Sequence, residues 1–246
     1  MIKDTNLLVV SAHAADFVWR SGGTIAKYKK HGANVKIVIL SYGIRGESAD
    51  LWRIENQTYE GVKKVRHEEV LAAARELGVE NDLEFWDFED YMMDLSIPER
   101  LDRMVRKIRE VSPHHIITHG PKDAFNPDHE AVSQFVFKAS VMSIQNGIKT
   151  EGLPNVKQAR LFGFEPHQTE ISDFKPDVLI DITEVYDMKE KAMKCFKTQS
   201  HLIEYYMARA RIRGNNAARC SGKPYSEYKY AEAFSRFFPY VGGELV

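Results

Sequence analysis

Cysteine is nearly missing from this chain: Cys195 and Cys220 are the two in 246 residues. Two thiols make no disulfide framework, so a cross-linked scaffold is excluded and a reducing cytoplasm is the compartment expected. Long apolar runs are missing as well. No stretch approaches the ~20 residues of a membrane span. The apolar run of about five residues that follows Lys3, Asp4 and Asn6 is too short, and its approach too acidic, for a signal peptide. Nor is there an excess of either charge: 34 Lys and Arg against 35 Asp and Glu leave a formal net charge of −1. That balance supplies no global field for nucleic acid or an acidic bilayer, and neither partner is expected. Repeats, low-complexity tracts and linker-like segments are absent, so one domain over residues 1–246 is expected. No glycine loop has the spacing of a phosphate cradle, because Gly22-Gly23 falls inside a helix-like segment and reads as a point of close packing against a sheet.

What is present is a regular alternation. Apolar runs at Leu7–Ser11, Val35–Leu40, Leu83–Phe88, Ile116–Thr118, Leu161–Glu165 and Val178–Ile182 read as strands. Between them lie helical segments: Phe17–His31 before Gly32, residues 56–77 before Gly78, Pro98–Val111 before Pro113, and Asp128–Gln145 before Gly147. Glu184–Gln199, His201–Arg213 and Tyr230–Phe238 read as further helices, with an irregular interruption over Gly214–Tyr228. The expected fold is α/β: a Rossmann-like, mostly parallel sheet with helices on both faces and a helical C-terminal region.

Open parallel sheets bind ligands beyond the carboxyl ends of their strands. His13 and Asp16 follow the first strand, Glu47 the second, His119 through His129 the fourth, and His167 the fifth. Four polar loops should therefore converge on one rim. His13, Asp16 and His129 form a plausible two-His, one-carboxylate set for zinc, with a position open to water or substrate. Spacing leaves plainer readings open: a hydrogen-bonded strand-end histidine, a helix-capping aspartate and a helix-start histidine.

Two short motifs add a resemblance. Ala12-His13-Ala14-Ala15-Asp16-Phe17 resembles a degenerate Pro-His-Pro-Asp-Asp-Glu signature of the LmbE-like, or PIG-L, zinc deacetylase family. Asn126-Pro127-Asp128-His129 is similar to that family's His-Pro-Asp-His, and Tyr230-Ala231-Glu232-Ala233-Phe234 to a segment seen in many members. The resemblance implies zinc, or another divalent ion, on His13, Asp16 and His129. It also marks two departures. The deacetylase general base is Ala15 here, and the histidine that assists the tetrahedral intermediate is Asn126. A methyl group accepts no proton, and Asn donates a hydrogen bond without shuttling protons near neutrality. A positioned base contributes about 10²–10⁴-fold, so ordinary deacetylation is not expected.

The run Ser11–Gly23 resembles instead the hydratase branch of that family, which acts on 4-oxalomesaconate-like oxo-tricarboxylates in aromatic acid breakdown. The implied reaction adds water to a double bond conjugated to a keto acid, with the ion as Lewis acid. Glu47, in a glycine-flanked loop, and His167, just past the fifth strand, are the candidate base and acid, in either order. Asp128 is placed behind a ligand, orienting it. A tricarboxylate needs cations, and Arg20, Arg45, Arg211 and Arg213, with Asn126 as hydrogen-bond donor, are assigned to substrate. Two alternatives stay open: a zinc-dependent N-deacetylase of an amino sugar or similar amide with a substitute carboxylate base, and a noncatalytic metal-binding relative. The resemblance also implies a homo-oligomer, with the C-terminal helices as contact surface.

Overall fold

In a computed structural model, which describes residues 2–242, the alternating segments become one seven-stranded sheet. Its strands are β1 (Asn6–Ser11), β2 (Asn34–Ser41), β3 (Leu83–Phe88), β4 (His115–Thr118), β5 (Arg160–Phe164), β6 (Val178–Asp181) and β7 (Ala231–Arg236). The order is β3-β2-β1-β4-β5-β7-β6. Strands β1 to β5 are parallel at every junction, and β7 runs antiparallel to both β5 and β6. This is the mostly parallel α/β sheet that the alternation predicts.

Helices cover both faces: α1 (Asp16–Lys30), the short α2 (Ala49–Trp52), α3 (Tyr59–Leu77), α4 (Pro98–Val111), α5 (Pro127–Ser143), α6 (Tyr186–Lys194) and α7 (Ile203–Ser221). Burial on both sides explains why β1 is an unbroken apolar run rather than an alternating one. Leu7 and Val9 face a core with α1, α3 and α6. Leu8 and Val10 face a second core with α4 and α5. Fully burying each such side chain contributes about 1.5–3 kcal/mol. The amphipathic segment before Gly78 starts at a cap: the Thr58 hydroxyl accepts from the Gly61 N–H at 3.0 Å. Among the described residues no helix is long and apolar enough to cross a membrane.

The C-terminal region differs from expectation in three places. Tyr230–Phe238 is not helical; Ala231–Arg236 is a strand, inserted between β5 and β6. Ala231, Glu232, Ala233 and Phe234 are all buried, so the alternation that identifies a half-exposed strand is lost. The irregular stretch expected over Gly214–Tyr228 begins later, at Gly222, since α7 continues to Ser221. Gly214 is there for space: a Cβ would lie 2.3 Å from the Lys229 carbonyl oxygen, where the incoming chain crosses the helix. Finally, Glu184–Gln199 is a nine-residue helix, α6, between two 3-10 turns, Thr183–Val185 and Lys197–Leu202.

A buried ion pair joins this region to the N-terminal helix. Glu232 on β7 accepts from the Gly23 and Thr24 N–H groups of α1 at 2.9 and 2.7 Å, and from Lys189 of α6 at 2.5 Å. Lys189 also donates to the Trp19 carbonyl at 3.0 Å, the acceptor that a regular helical turn offers to Gly23. Gly23 is the point of close packing: a Cβ would come within 2.6 Å of Ile182, just past β6. The helix that begins at Asp16 is thereby fixed to the last strand. The order of the strands switches sides between β1 and the parallel β4, and the loops after these strands open at that crevice.

Candidate functional site

The loop leaving β1 turns sharply into α1. The Asp16 carboxylate accepts from the His13 N–H at 2.8 Å, which holds both side chains on one side of the turn. His129 enters from the first turn of α5. Asn126 caps that helix, its side-chain oxygen accepting from the Asp128 N–H at 3.1 Å, and Pro127 follows at the first helical position. Glu47 arrives on the loop after β2. Asp90 pins that loop by accepting from the Arg45 and Gly46 N–H groups at 2.8 and 2.7 Å.

These elements bring His13, Asp16, Glu47 and His129 together, with one ligand atom from each inside a 4.8 Å group. His13 Nδ1 lies 3.1 Å from His129 Nε2 and 3.2 Å from Glu47 Oε1. Asp16 oxygens stand 3.5 Å from both imidazole nitrogens. The outer ring nitrogens face carboxylates: His13 Nε2 donates to Asp128 at 3.0 Å and His129 Nδ1 to Asp123 at 2.9 Å. A carboxylate only accepts, so each ring carries its proton on the outer nitrogen and turns a lone pair inward. Two imidazole lone pairs and two carboxylates meeting in a buried space repel one another unless a cation lies among them. The residues therefore fit a divalent ion, and the outer carboxylates are the partners that metal-ligating histidines commonly have. The pKa directions express the same demand. Burial disfavours a charged His13, yet the carboxylates of Glu47, Asp128 and Asp16 outweigh it and hold the ring well above its ordinary value.

Three of the four side chains are sealed, with His13, Asp16 and His129 only 2–4% exposed, whereas Glu47 is 16% exposed. Solvent reaches the group at Glu47. Burial would raise its carboxyl, but His13 and Arg66 hold it below the ordinary range. Arg66 is fully buried and touches Glu47 Oε2 at 3.5 Å, while Glu69 and Thr198 hold it at 3.2 and 2.7 Å. His119 stacks on His129 with centroids 4.0 Å apart, and its Nε2 accepts from the Ala12 N–H. Burial and the neighbouring His129 push it down to about 3, so it stays neutral.

The other residues singled out by sequence divide. His167 is half-buried past β5 and stacked on Tyr205 at 4.3 Å, with no hydrogen-bond partner for its ring among the described residues. Burial, then Arg20 and Arg209, lower its pKa. Arg20 sits behind the cluster rather than at its mouth: it is buried, 3.4 Å from both Asp16 and Asp123, and donates to the Glu165 carbonyl. Arg45 is exposed and paired with Glu89 at 2.6 Å. Arg213 reaches Glu165, as does Arg209, but Arg211 is exposed on the other side of the helix. Positions i and i+4 share a helix face and i+2 does not, so the pair in the crevice is Arg209 and Arg213. Asp123 was not foreseen. Its sequence signal is only a carboxylate six residues before His129, and the loop path gives it meaning.

The sequence profile described as "PIG-L: GlcNAc-PI de-N-acetylase" matches residues 8–140. A 4-oxalmesaconate hydratase of Pseudomonas putida is 41% identical over 239 residues, covering 97% of this chain and 91% of that protein. The crystal structure of GalB, the 4-carboxy-2-hydroxymuconate hydratase of Pseudomonas putida KT2440, superposes with a TM-score of 0.92 at 40% identity, covering 99% of this chain and 100% of that one. A probable N-acetyl-alpha-D-glucosaminyl L-malate deacetylase 2 of Bacillus cereus is more distant, at 26% identity over 87% of this chain and 92% of its own length.

Proposed function

The chain belongs to the PIG-L family, and on that premise we propose that it is a metal-dependent hydratase adding water to a conjugated oxo-tricarboxylate. Likeness to the Pseudomonas putida hydratase over nearly the whole of both chains supports that reading over the deacetylase one. So does the side-chain chemistry. Ala15 is fully buried and cannot take a proton, and the Asn126 amide oxygen is committed to capping α5. Neither stands ready to serve amide hydrolysis.

His13, Asp16 and His129 would hold the ion, with zinc the ion proposed. When bound, it would polarise the oxo group of the acid and draw electron density from the double bond. Glu47 is the group through which solvent meets the cluster, and its carboxylate stays ionised, so it is assigned to take a proton from water. Arg66 holds one of its oxygens and leaves Oε1 directed at the cluster. His167 has a free ring and is assigned to deliver the proton to carbon. A polyanion arriving beside it opposes the cationic neighbours that lower its pKa. Arg209 and Arg213 share one carboxylate, Glu165, which leaves a net positive charge beside His167 for a substrate carboxylate. Arg45 is neutralised by Glu89 and would meet a substrate carboxylate only by exchanging that partner, whereas Arg20 is assigned to holding Asp16 and Asp123.

The deciding observation is a sealed two-histidine, one-aspartate group whose solvent-facing neighbour is a glutamate. Ultraviolet absorbance of a conjugated oxo-tricarboxylate should fall with the metal-loaded protein and stop falling after chelation. Acetate release from an N-acetylglucosamine derivative, followed in parallel, should stay at background. Metal-dependent acetate release with no loss of conjugation would replace this reading with the deacetylase one.

A further inference from the structure

At the end of the sheet away from the metal cluster lies a cavity of about 500 Å³, within the range of small-molecule sites. His115 opens β4, Arg160 opens β5, Val178 opens β6, and Arg236 closes the antiparallel β7, so these four residues stand at one sheet end. The register puts His115 opposite Arg160 and Phe162 opposite Arg236. Residues two apart on a strand share a face, so Arg160 and Phe162 project to the same side as their partners. Arg160 and Arg236 are then diagonal neighbours, about 7–8 Å apart at the backbone. Tyr28 of α1 roofs one side, edge-on to His115, while Phe238 and Tyr240 close the other.

Among the described residues the lining has two arginines and a histidine but no aspartate or glutamate. Arg160 and Arg236 are exposed at the rim and neither guanidinium has a hydrogen-bond or ion-pair partner among the described residues, while His115 Nδ1 is buried without one. Unpaired guanidinium groups above aromatic walls recognise a flat anion: the forks bond carboxylates bidentately and the rings cover an aromatic face.

We propose that this cavity is a second ligand site, separate from the metal cluster, that binds a small aromatic ring carrying two carboxylates. Arg160 and Arg236 each take one carboxylate, and Phe162 and Tyr28 pack against the ring. An aliphatic diacid would satisfy the arginines but not the walls, so the ring is part of the claim.

Calorimetric titration of the metal-loaded full chain with benzene-1,3-dicarboxylate tests it. One saturable site per chain is expected. Cyclohexane-1,3-dicarboxylate, which keeps the charges without the ring, and benzene-1,3-dicarboxamide, which keeps the ring without the charges, should each bind at least tenfold more weakly. The double variant Arg160→Gln, Arg236→Gln should lose at least tenfold in affinity, with its thermal midpoint and its hydration rate in the absence of diacid unchanged. Arg160→Lys should retain part of the affinity. Equal binding by the double variant, or by the cyclohexane diacid, overturns the assignment. Binding that vanishes in His13→Ala overturns it too, because the diacid then sits at the metal cluster. Absence of binding in a chain that sediments as an oligomer would mean that a second copy covers this face, and the ligand site would be discarded.

Discussion

At the scale of single residues, the functional claims rest on Glu47 and on the carboxylates behind the histidines. Glu47→Gln keeps the shape of the side chain and removes its ability to take a proton. The rate of hydration should fall about 10²–10⁴-fold, while metal analysis finds the same bound ion; an unchanged rate removes Glu47 from the mechanism. Asp123→Ala acts one bond further out, freeing the His129 ring that Asp123 orients. Metal affinity should weaken about 10–100-fold, measurable by competition against a graded chelator. The two cases differ in what sequence makes legible. His13 and Asp16 occupy a short motif at a strand end and His129 one at a capped helix start, and both kinds of boundary fix direction. Asp123 sits in a loop whose course no local pattern sets, so its contact with His129 emerges only in three dimensions. Arg211 teaches the complementary point: clustering along a sequence is not clustering in space, and helical periodicity selects Arg209 with Arg213.

Among elements, the parallel strands and their crossover helices are legible because each is bounded by a glycine, a proline or a cap. The last strand is not. Burial of Ala231 through Phe234 on both faces erases the period of two, and Glu232 looks like a surface residue of a helix until its partners on α1 and α6 are seen. Those partners make a strong prediction. Removing one member of a buried ion pair leaves the other uncompensated, at a cost of about 3–5 kcal/mol. Lys189→Met should therefore lower the unfolding free energy substantially in denaturant titrations. Adding Glu232→Gln to that variant should recover part of the loss, because the glutamine amide still accepts from an α1 N–H without burying a charge. A double variant as unstable as the sum of the two single ones would mean that the pair is not coupled.

For the molecule as a whole, the two ends of the sheet carry different groups of charged residues. The end opposite the metal cluster is tied by Asp82, which precedes β3 and pairs with Lys29 of α1 and, at 2.8 Å, Lys36 of β2. Burial would raise the Asp82 carboxyl, but the two ammonium groups outweigh it and hold it below the ordinary range. A depressed carboxylate stabilises the fold at pH values above its unfolded value, and the contribution is lost as pH falls through the native one. Asp82→Asn should thus cost roughly 0.5–1 kcal/mol near neutrality, discounted for the solvent reaching both lysines. Denaturation curves of the two proteins should converge in acid; a gap independent of pH would assign the loss to packing.

The contact between Glu232 and the first helix also has a consequence in time. Asp16 and Arg20 lie one to two turns before Gly23 and Thr24, yet the acceptor for those two N–H groups is translated more than two hundred residues later. A nascent chain paused before that residue holds Lys189 without its counterion and a helix not yet locked in place. Capture of the ion should therefore be a late event in biogenesis, following emergence of the final strand from the ribosome.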